Sequence, residues 1–159
     1  MKKRKTGLIT LLAPLLGLLM VLTVQTPAKA AGSTCSSFIE SPYNWLQDAC
    51  LSITSAGSIT GSTGVLYRPT FAGSRVQRAT VYMRVQDTAT GRWQTTYSRD
   101  ITADARIRNP KRYNFQLGIG APPGKWYRAE AWVRVTTASG TYDSSTGIGN
   151  HPFTDQIRS

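Results

Sequence analysis

The sequence predicts an all-β protein built as an antiparallel β-sandwich. Three observations carry that prediction. Apolar and polar residues alternate with a period of two along several segments. No segment of ten or more residues holds a helical period, and no internal repeat is present. The alternating segments are short and are joined by connections rich in Gly, Pro, Ser and Thr, the spacing of sandwiches and barrels.

The first of the 159 residues are set apart from that pattern. Met1-Lys2-Lys3-Arg4-Lys5 is a dense positive cluster, Gly7 to Val24 is uncharged and leucine-rich, and Thr26-Pro27-Ala28-Lys29-Ala30 ends with small residues at −3 and −1. Basic, apolar and small in that order is what a signal peptidase reads, so residues 1–30 are expected to be a cleaved export signal. Pro14, Gly17 and the Ala-Lys-Ala ending argue against an uncleaved spanning helix, which wants roughly 20 apolar residues. Gly-Ser-Thr before Cys35 matches a lipoprotein cleavage box poorly, and no twin arginine is present. A freely exported, extracellular protein is the expectation, with no transmembrane segment left after cleavage.

The remaining 129 residues make one domain's worth of chain. Fourteen basic side chains then face eight acidic ones, a net charge of +6 where the full chain carries +11. Twelve of the fourteen are arginine, whose planar fork suits carboxylate, phosphate or sulfate and also stacks on aromatic rings. Such a balance keeps a small domain soluble and draws it to anionic surfaces without naming a partner. Cys35 and Cys50 are the only cysteines, and an oxidising compartment pairs them. Closing a loop of this length is worth about 3 kcal/mol in the chain-entropy model. A zinc site would need more ligands than the single histidine, His151, supplies.

Between the cysteines, Ser41 can cap and Pro42 suits a first helical position, so one or two helical turns are expected over 42–49, with Trp45, Leu46 and Ala49 on one side. Residues 51–54 begin a period of two. The Ser/Gly/Thr-rich passage 55–64 reads as turns and slack edges rather than strand interior. Val65-Leu66-Tyr67 follows. Residues 78–86 alternate strictly, with Ala79, Val81, Met83 and Val85 apolar. Asp87 to Gly91 has hairpin chemistry, and 92–98 is the return strand. A charged stretch, 100–111, ends in the Asn109-Pro110 turn. Tyr113, Phe115 and Leu117 point inward from the next strand, and the Gly/Pro run 118–124 is a loop. Residues 126–135 are the clearest strand, burying Tyr127, Ala129, Ala131, Val133 and Val135. Ala138-Ser139-Gly140 closes a tight turn into a short strand at 141–143. The expected division is a signal at 1–30, a disulfide-closed segment at 31–50, a sandwich at 51–147 and a C-terminal tail at 148–159.

The run Pro122-Pro123-Gly124-Lys125-Trp126-Tyr127, leading into a long alternating strand and a Ser-Gly hairpin, resembles the late strands of immunoglobulin and fibronectin type III-like domains over roughly residues 76–146. The resemblance implies architecture and no activity. It departs from true immunoglobulin domains in that both cysteines precede the core strands.

No Gly-x-Ser-x-Gly, His-Glu-x-x-His or phosphate-cradling glycine loop is present, and a nucleophile would find only His151 as base, in a tail where it reads as a surface residue. The eight acids are scattered, and Glu130 on an outer face is expected to pair with Arg128 or a cross-strand arginine. A non-catalytic protein without cofactor or metal is therefore expected. Two binding features stand out. Arg106, Arg108, Lys111 and Arg112 cluster around the Asn109-Pro110 turn, suited to phosphate, sulfate or teichoic-type polyanions, or else forming a solvated loop. Arg78, Tyr82 and Arg84 share one outward face, and Trp126, Arg128, Trp132 and Arg134 share another. Trp132 either contributes to binding or is covered by the Cys35–Cys50 segment, with arginines merely lying over it.

The expected function is a small secreted, monomeric binding or structural module for anionic cell-envelope or extracellular polysaccharide, or for a protein surface. The alternative is a secreted inhibitor or toxin-like effector acting through an exposed loop such as 118–124. Nucleic acid is not an expected partner, because no nucleic-acid motif accompanies the modest charge. The exported form should start at Ala31 and weigh two hydrogens less than its reduced form in intact-mass analysis. Retention of residues 1–30, or free thiols that alkylate without reduction, would contradict the export reading.

Overall fold

The computed structural model describes residues 32–41, 43–144 and 152–159. In chain order the strands are β1 (Gly32–Cys35), β2 (Ile39–Glu40), β3 (Trp45–Gln47), β4 (Cys50–Ile53), β5 (Ser58–Tyr67), β6 (Val76–Asp87), β7 (Arg92–Trp93), β8 (Tyr97–Asp100), β9 (Lys111–Gly120), β10 (Trp126–Thr137), β11 (Gly140–Asp143) and β12 (Ile157–Arg158). A 3-10 turn at Gly73–Arg75 precedes β6, and a short helix, α1 (Thr102–Arg106), separates β8 from β9. All pairings are antiparallel.

Two sheets face each other, and several of their lines are interrupted strands. In the first sheet, β1 and β2 lie along β4 and β3, which together flank one edge of β5, while β9 flanks the other. In the second, β6 and β10 form the centre; β7 and β8 run along β6, and β11 and β12 run along β10. The sandwich is the expected architecture. Its strand order is its own, since β5 stays beside β3 and β4, where the immunoglobulin constant type sends its third strand to the opposite sheet.

The alternation seen in the sequence is realised in the core. Val81, Met83 and Val85 of β6 and Tyr127, Ala129, Ala131, Val133 and Val135 of β10 are buried, facing Leu51, Ile59, Val65, Tyr113, Phe115 and Leu117 of the first sheet. Cys35 and Cys50 stand opposite each other in the β1–β4 register, with Cα atoms 4.0 Å apart, and are joined by the expected disulfide.

Several expectations need correction. Of the segment 42–49 expected to be helical, residues 43–49 are not: β3 alternates, with Trp45 and Gln47 inward and fully covered, and Leu46 turned to the other face. Cross-strand pairing with β2 and β5 takes the backbone groups that a helix would have used, and Ser41 closes a tight turn by accepting the Tyr43 N–H. Pro42 lies outside the described residues. The Ser/Gly/Thr passage is no slack edge; residues 58–64 belong to β5, the strand paired on both sides at the centre of its sheet. Gly61 is there because the opposite sheet comes close: a Cβ on it would lie 2.2 Å from Met83 Sδ. The return strand 92–98 is two short strands, and the charged stretch 100–111 contains α1, whose Ala105 is buried. A Cβ on Gly73 would come within 2.8 Å of the Ala105 and Arg106 carbonyl oxygens, so this glycine lets the 3-10 turn seat against α1.

The C-terminal tail also differs. Thr154 is buried and its hydroxyl accepts the Ala129 N–H, Ile157 joins the core, and Ser159 binds Pro122 and the Gly124 and Lys125 amides. The tail is thus the outer line of the second sheet, and it pins loop 121–125; β9 takes residues 118–120 of the loop expected at 118–124. The signal at 1–30 and His151 lie outside the described residues. Among the described residues, no helix is long and apolar enough to cross a membrane.

Gly61→Val should cost roughly 1–3 kcal/mol by overpacking against Met83. Trimming the neighbour should relieve it, so Gly61→Val/Met83→Ala should be more stable than the sum of the two single costs predicts. Denaturant unfolding of the four proteins checks this, and additive costs would contradict the close approach.

Candidate functional site

The basic cluster expected from sequence does not form one surface. Arg106 donates from Nε to the Val76 carbonyl at 2.9 Å and from Nη2 to the Gln77 carbonyl at 3.0 Å, stitching α1 to the start of β6. Arg108, in the left-handed region at φ 54°, donates to the Pro69 carbonyl at 2.8 Å. Lys111 pairs with Asp104 at 3.4 Å. Arg112 pairs with Asp48 and also reaches Cys50 Sγ and Ser62 Oγ, on the outer side of the first sheet. Lys111 and Arg112, being neighbours on a strand, point to opposite sides of it. Asp104 stands on α1 beside Arg106, while Asp48 comes from the β3–β4 connection, 64 residues from Arg112 in the chain.

The second candidate assembles. β6 pairs with β10 so that Tyr82 stands opposite Trp132, Arg84 opposite Glu130 and Thr80 opposite Arg134, which merges the two outward sets into one face. Tyr82 and Trp132 stack with centroids 5.1 Å apart and planes 9° from parallel. Arg134 lies over the Tyr82 ring at 5.5 Å, and Arg84 lies 5.5 Å from Trp132 and 4.0 Å from Trp93. Beyond Trp93 come Phe153, with ring centroids 6.3 Å apart, and Arg128, 5.1 Å from the Phe153 ring. The result is one stacked row running Arg134, Tyr82, Trp132, Arg84, Trp93, Phe153, Arg128. The disulfide lies on the outer side of the first sheet, so the Cys35–Cys50 bridge does not cover Trp132.

Two carboxylates hold the row. Glu130 is buried despite its outward position and pairs with Arg84 at 2.5 Å, the cross-strand arginine that the sequence anticipated. Asp143, from β11, accepts two hydrogen bonds from Arg134, at 2.7 and 3.1 Å. These bonds raise the Arg134 pKa, while burial lowers that of Arg84. Arg128 is held by Gln86 at 2.7 Å. At one end of the row, Arg78, Thr80, Tyr82, Arg134, Thr136, Thr141 and the Arg134-paired Asp143 line a depression, with the Thr136 and Thr141 hydroxyls 3.2 Å apart.

Sequence reasoning found Arg78, Tyr82, Arg84, Arg128, Trp132 and Arg134 on this face. It missed Trp93, although the 92–98 alternation held its signal, and Phe153, whose tail carries no period to read. Trp126 is exposed at the far end of β10, outside the row. Among the described residues, no group of three His, Cys, Asp or Glu side chains could hold a metal ion. No protein-family model, curated protein or solved structure matches this chain.

Asp104, at the junction of α1 and β9, accepts hydrogen bonds from Asn109, Tyr113 and Lys111, and these hold its carboxyl below the usual range. Asp100 and Asp87 are also lowered, by the Thr102 amide and by Lys125 respectively. A depressed folded-state pKa gives stability that is full above the unfolded value of about 3.9 and is lost as pH falls through the folded value. Melting temperature should therefore fall as pH drops below about 4, and more shallowly in Asp104→Asn. Identical acid profiles for the two proteins would contradict Asp104's part in this.

Proposed function

We propose that this chain is a secreted, non-catalytic binding module that engages acidic polysaccharide with the outer face of its second sheet. The observation that carries the reading is the stacked row from Arg134 to Arg128 with the hydroxyl-lined depression at its end. Arg134, Arg84 and Arg128 each spend part of their donor set on Asp143, Glu130 and Gln86, and the N–H groups left over suit the carboxylate or sulfate of an acidic sugar. Arg78 adds a cation beside Thr136 and Thr141, whose hydroxyls suit sugar hydroxyls. The rings of the row stack on one another and on arginines, so binding rests on ion pairing and hydrogen bonds rather than on open aromatic platforms. Export is supported by the N-terminal pattern, and the disulfide is compatible with it.

The alternative, an inhibitor or toxin-like effector, draws on the loop 121–125, which Ser159 and Gly57 anchor from both sides while Pro122 to Lys125 stay exposed. Stiff, anchored loops present a fixed shape at low entropic cost.

Retention on polygalacturonate and on neutral dextran separates these readings. The protein should bind the acidic matrix alone and elute as salt rises, since the Debye length shrinks from ~10 Å at 0.1 M to ~3 Å at 1 M. Arg78→Gln/Arg128→Gln and Arg108→Gln/Lys111→Gln remove the same charge. The first pair should abolish retention and the second should leave most of it. Equal losses would reduce the effect to net charge and contradict the face, and no retention on acidic matrices would move the reading to the inhibitor class.

A further inference from the structure

The disulfide is a second feature, separate from the stacked row, on the outer side of the first sheet. Cys35 is exposed there and Cys50 is half-buried, and their two sulfurs have different surroundings. Beyond Cys50, in the same cross-strand row, stand Ser62 of β5 and then Asn114 of β9. Arg112 reaches between them, with Nη1 3.1 Å from Cys50 Sγ and 3.2 Å from Ser62 Oγ. Cys35 stands on β1, the last strand on its side of the sheet. Among the described residues, no strand pairs with the outer edge of β1.

This asymmetry decides how a thiolate would meet the bridge. A thiolate attacks one sulfur of a disulfide along the S–S axis, and the other sulfur departs with the bonding electrons. Approach to Cys50 from the side away from Cys35 runs into Ser62 and the Arg112 guanidinium. Approach to Cys35 from its open flank meets no neighbouring strand. The guanidinium also favours that direction electrostatically, since a cation beside a sulfur stabilises its thiolate and a more stable thiolate is expelled faster. The carboxylate at this point is that of Asp48. Its Oδ2 lies 4.0 Å from Cys50 Sγ, farther than Arg112, and shares the guanidinium through Nη2. Its other oxygen accepts the Gly64 N–H, which fixes it there.

We infer that Cys35 is a thiolation site, at which a low-molecular-weight thiol opens the bridge and expels Cys50 toward Arg112. The thiol gives its proton to solvent and its sulfur bonds to Cys35 Sγ. The Cys35–Cys50 bond breaks, and its electron pair leaves on Cys50 as a thiolate. The products are a mixed disulfide at Cys35 and one free thiolate, with no net oxidation or reduction. β1 stays in register on β4 through its backbone, so the incoming group ends on the open edge of the first sheet. The inference does not rest on the polysaccharide reading, because none of these residues belongs to the stacked row.

2-Mercaptoethanol is the probe, applied to the folded protein. Exchange is stopped early with acid, and peptic mapping by mass spectrometry locates the adduct. The adduct should sit on Cys35 with Cys50 free, and its rate of formation should rise in proportion to thiol concentration. Arg112→Gln should slow formation of the Cys35 adduct roughly three-fold or more, while Arg112→Lys, which keeps the charge, should retain most of the rate. The sign of the change separates two roles, because an arginine that merely braced the sheet would, once removed, loosen the bridge and speed the reaction at Cys35. An adduct chiefly on Cys50, or shared equally, would overturn the proposal. A rate independent of thiol concentration would mean that the bridge reacts only after the domain opens, and would overturn it as well. Unchanged or faster reaction at Cys35 in Arg112→Gln would contradict the part given to the guanidinium.

Discussion

The register of β6 on β10 is the constraint on which the rest of this protein depends. Their pairing runs from Val76 to Asp87 on one strand and from Tyr127 to Thr137 on the other, and it separates two chemistries on opposite sides of one ribbon. Inward stand Val81, Met83 and Val85 with Ala131 and Val133; outward stand Tyr82 and Arg84 with Trp132 and Arg134. A slip by one residue would send guanidinium groups into the core and strand the valines in water. Glu130 helps lock the register, because a buried carboxylate needs a cation in one place and Arg84 supplies it. Replacing either partner alone in a buried pair costs about 3–5 kcal/mol in typical cases, so such a pair specifies position strongly even where its net stabilisation is small.

The other lines fall into place around this ribbon. β7 and β8 cover one edge and bring Trp93 against Arg84; β11 and β12 cover the other, with Asp143 for Arg134 and, between them, Phe153 for Arg128. Interrupted strands can do this because each short piece has only to match a local part of the central register. The first sheet contributes the other half of the core, and Gly61 sets how closely it approaches Met83.

Much of this was legible in the sequence. Alternation in 78–86, 111–117 and 126–135 marks the core face of three strands, since each packs one side on the core and turns the other outward. The paired cysteines gave their bridge through compartment and count. What stayed hidden has a common cause: it depends on partners distant in the chain. The passage 58–64 has Ile59 as its one large apolar residue, and Met83 fills the space above Gly61, so its composition mimics a turn. Trp45 reads as part of a short capped helix, because Ser41-Pro42 suits a helix start and the hydrogen bonds from β2 and β5 that make it a strand come from elsewhere in the chain. Arg106, Arg108, Lys111 and Arg112 are close in sequence, but the first strand residues of β6, Pro69, Asp104 and Asp48 each engage a different one of them. Phe153 enters the aromatic row through a tail with no periodic signal. Local pattern thus marked which side chains face outward, and pairing decided which of them meet.

In the function proposed above, the outward side of β6 and β10 is the surface that meets an acidic polysaccharide. The most direct measurement is indole N–H spectroscopy of the four tryptophans during titration with short oligogalacturonates. Trp93 and Trp132, which flank Arg84, should shift together and saturably, while Trp45 inside the sandwich and Trp126 beyond the row should not. Shifts at Trp126 without Trp93 and Trp132, or no saturable shift at any of them, would contradict the claim.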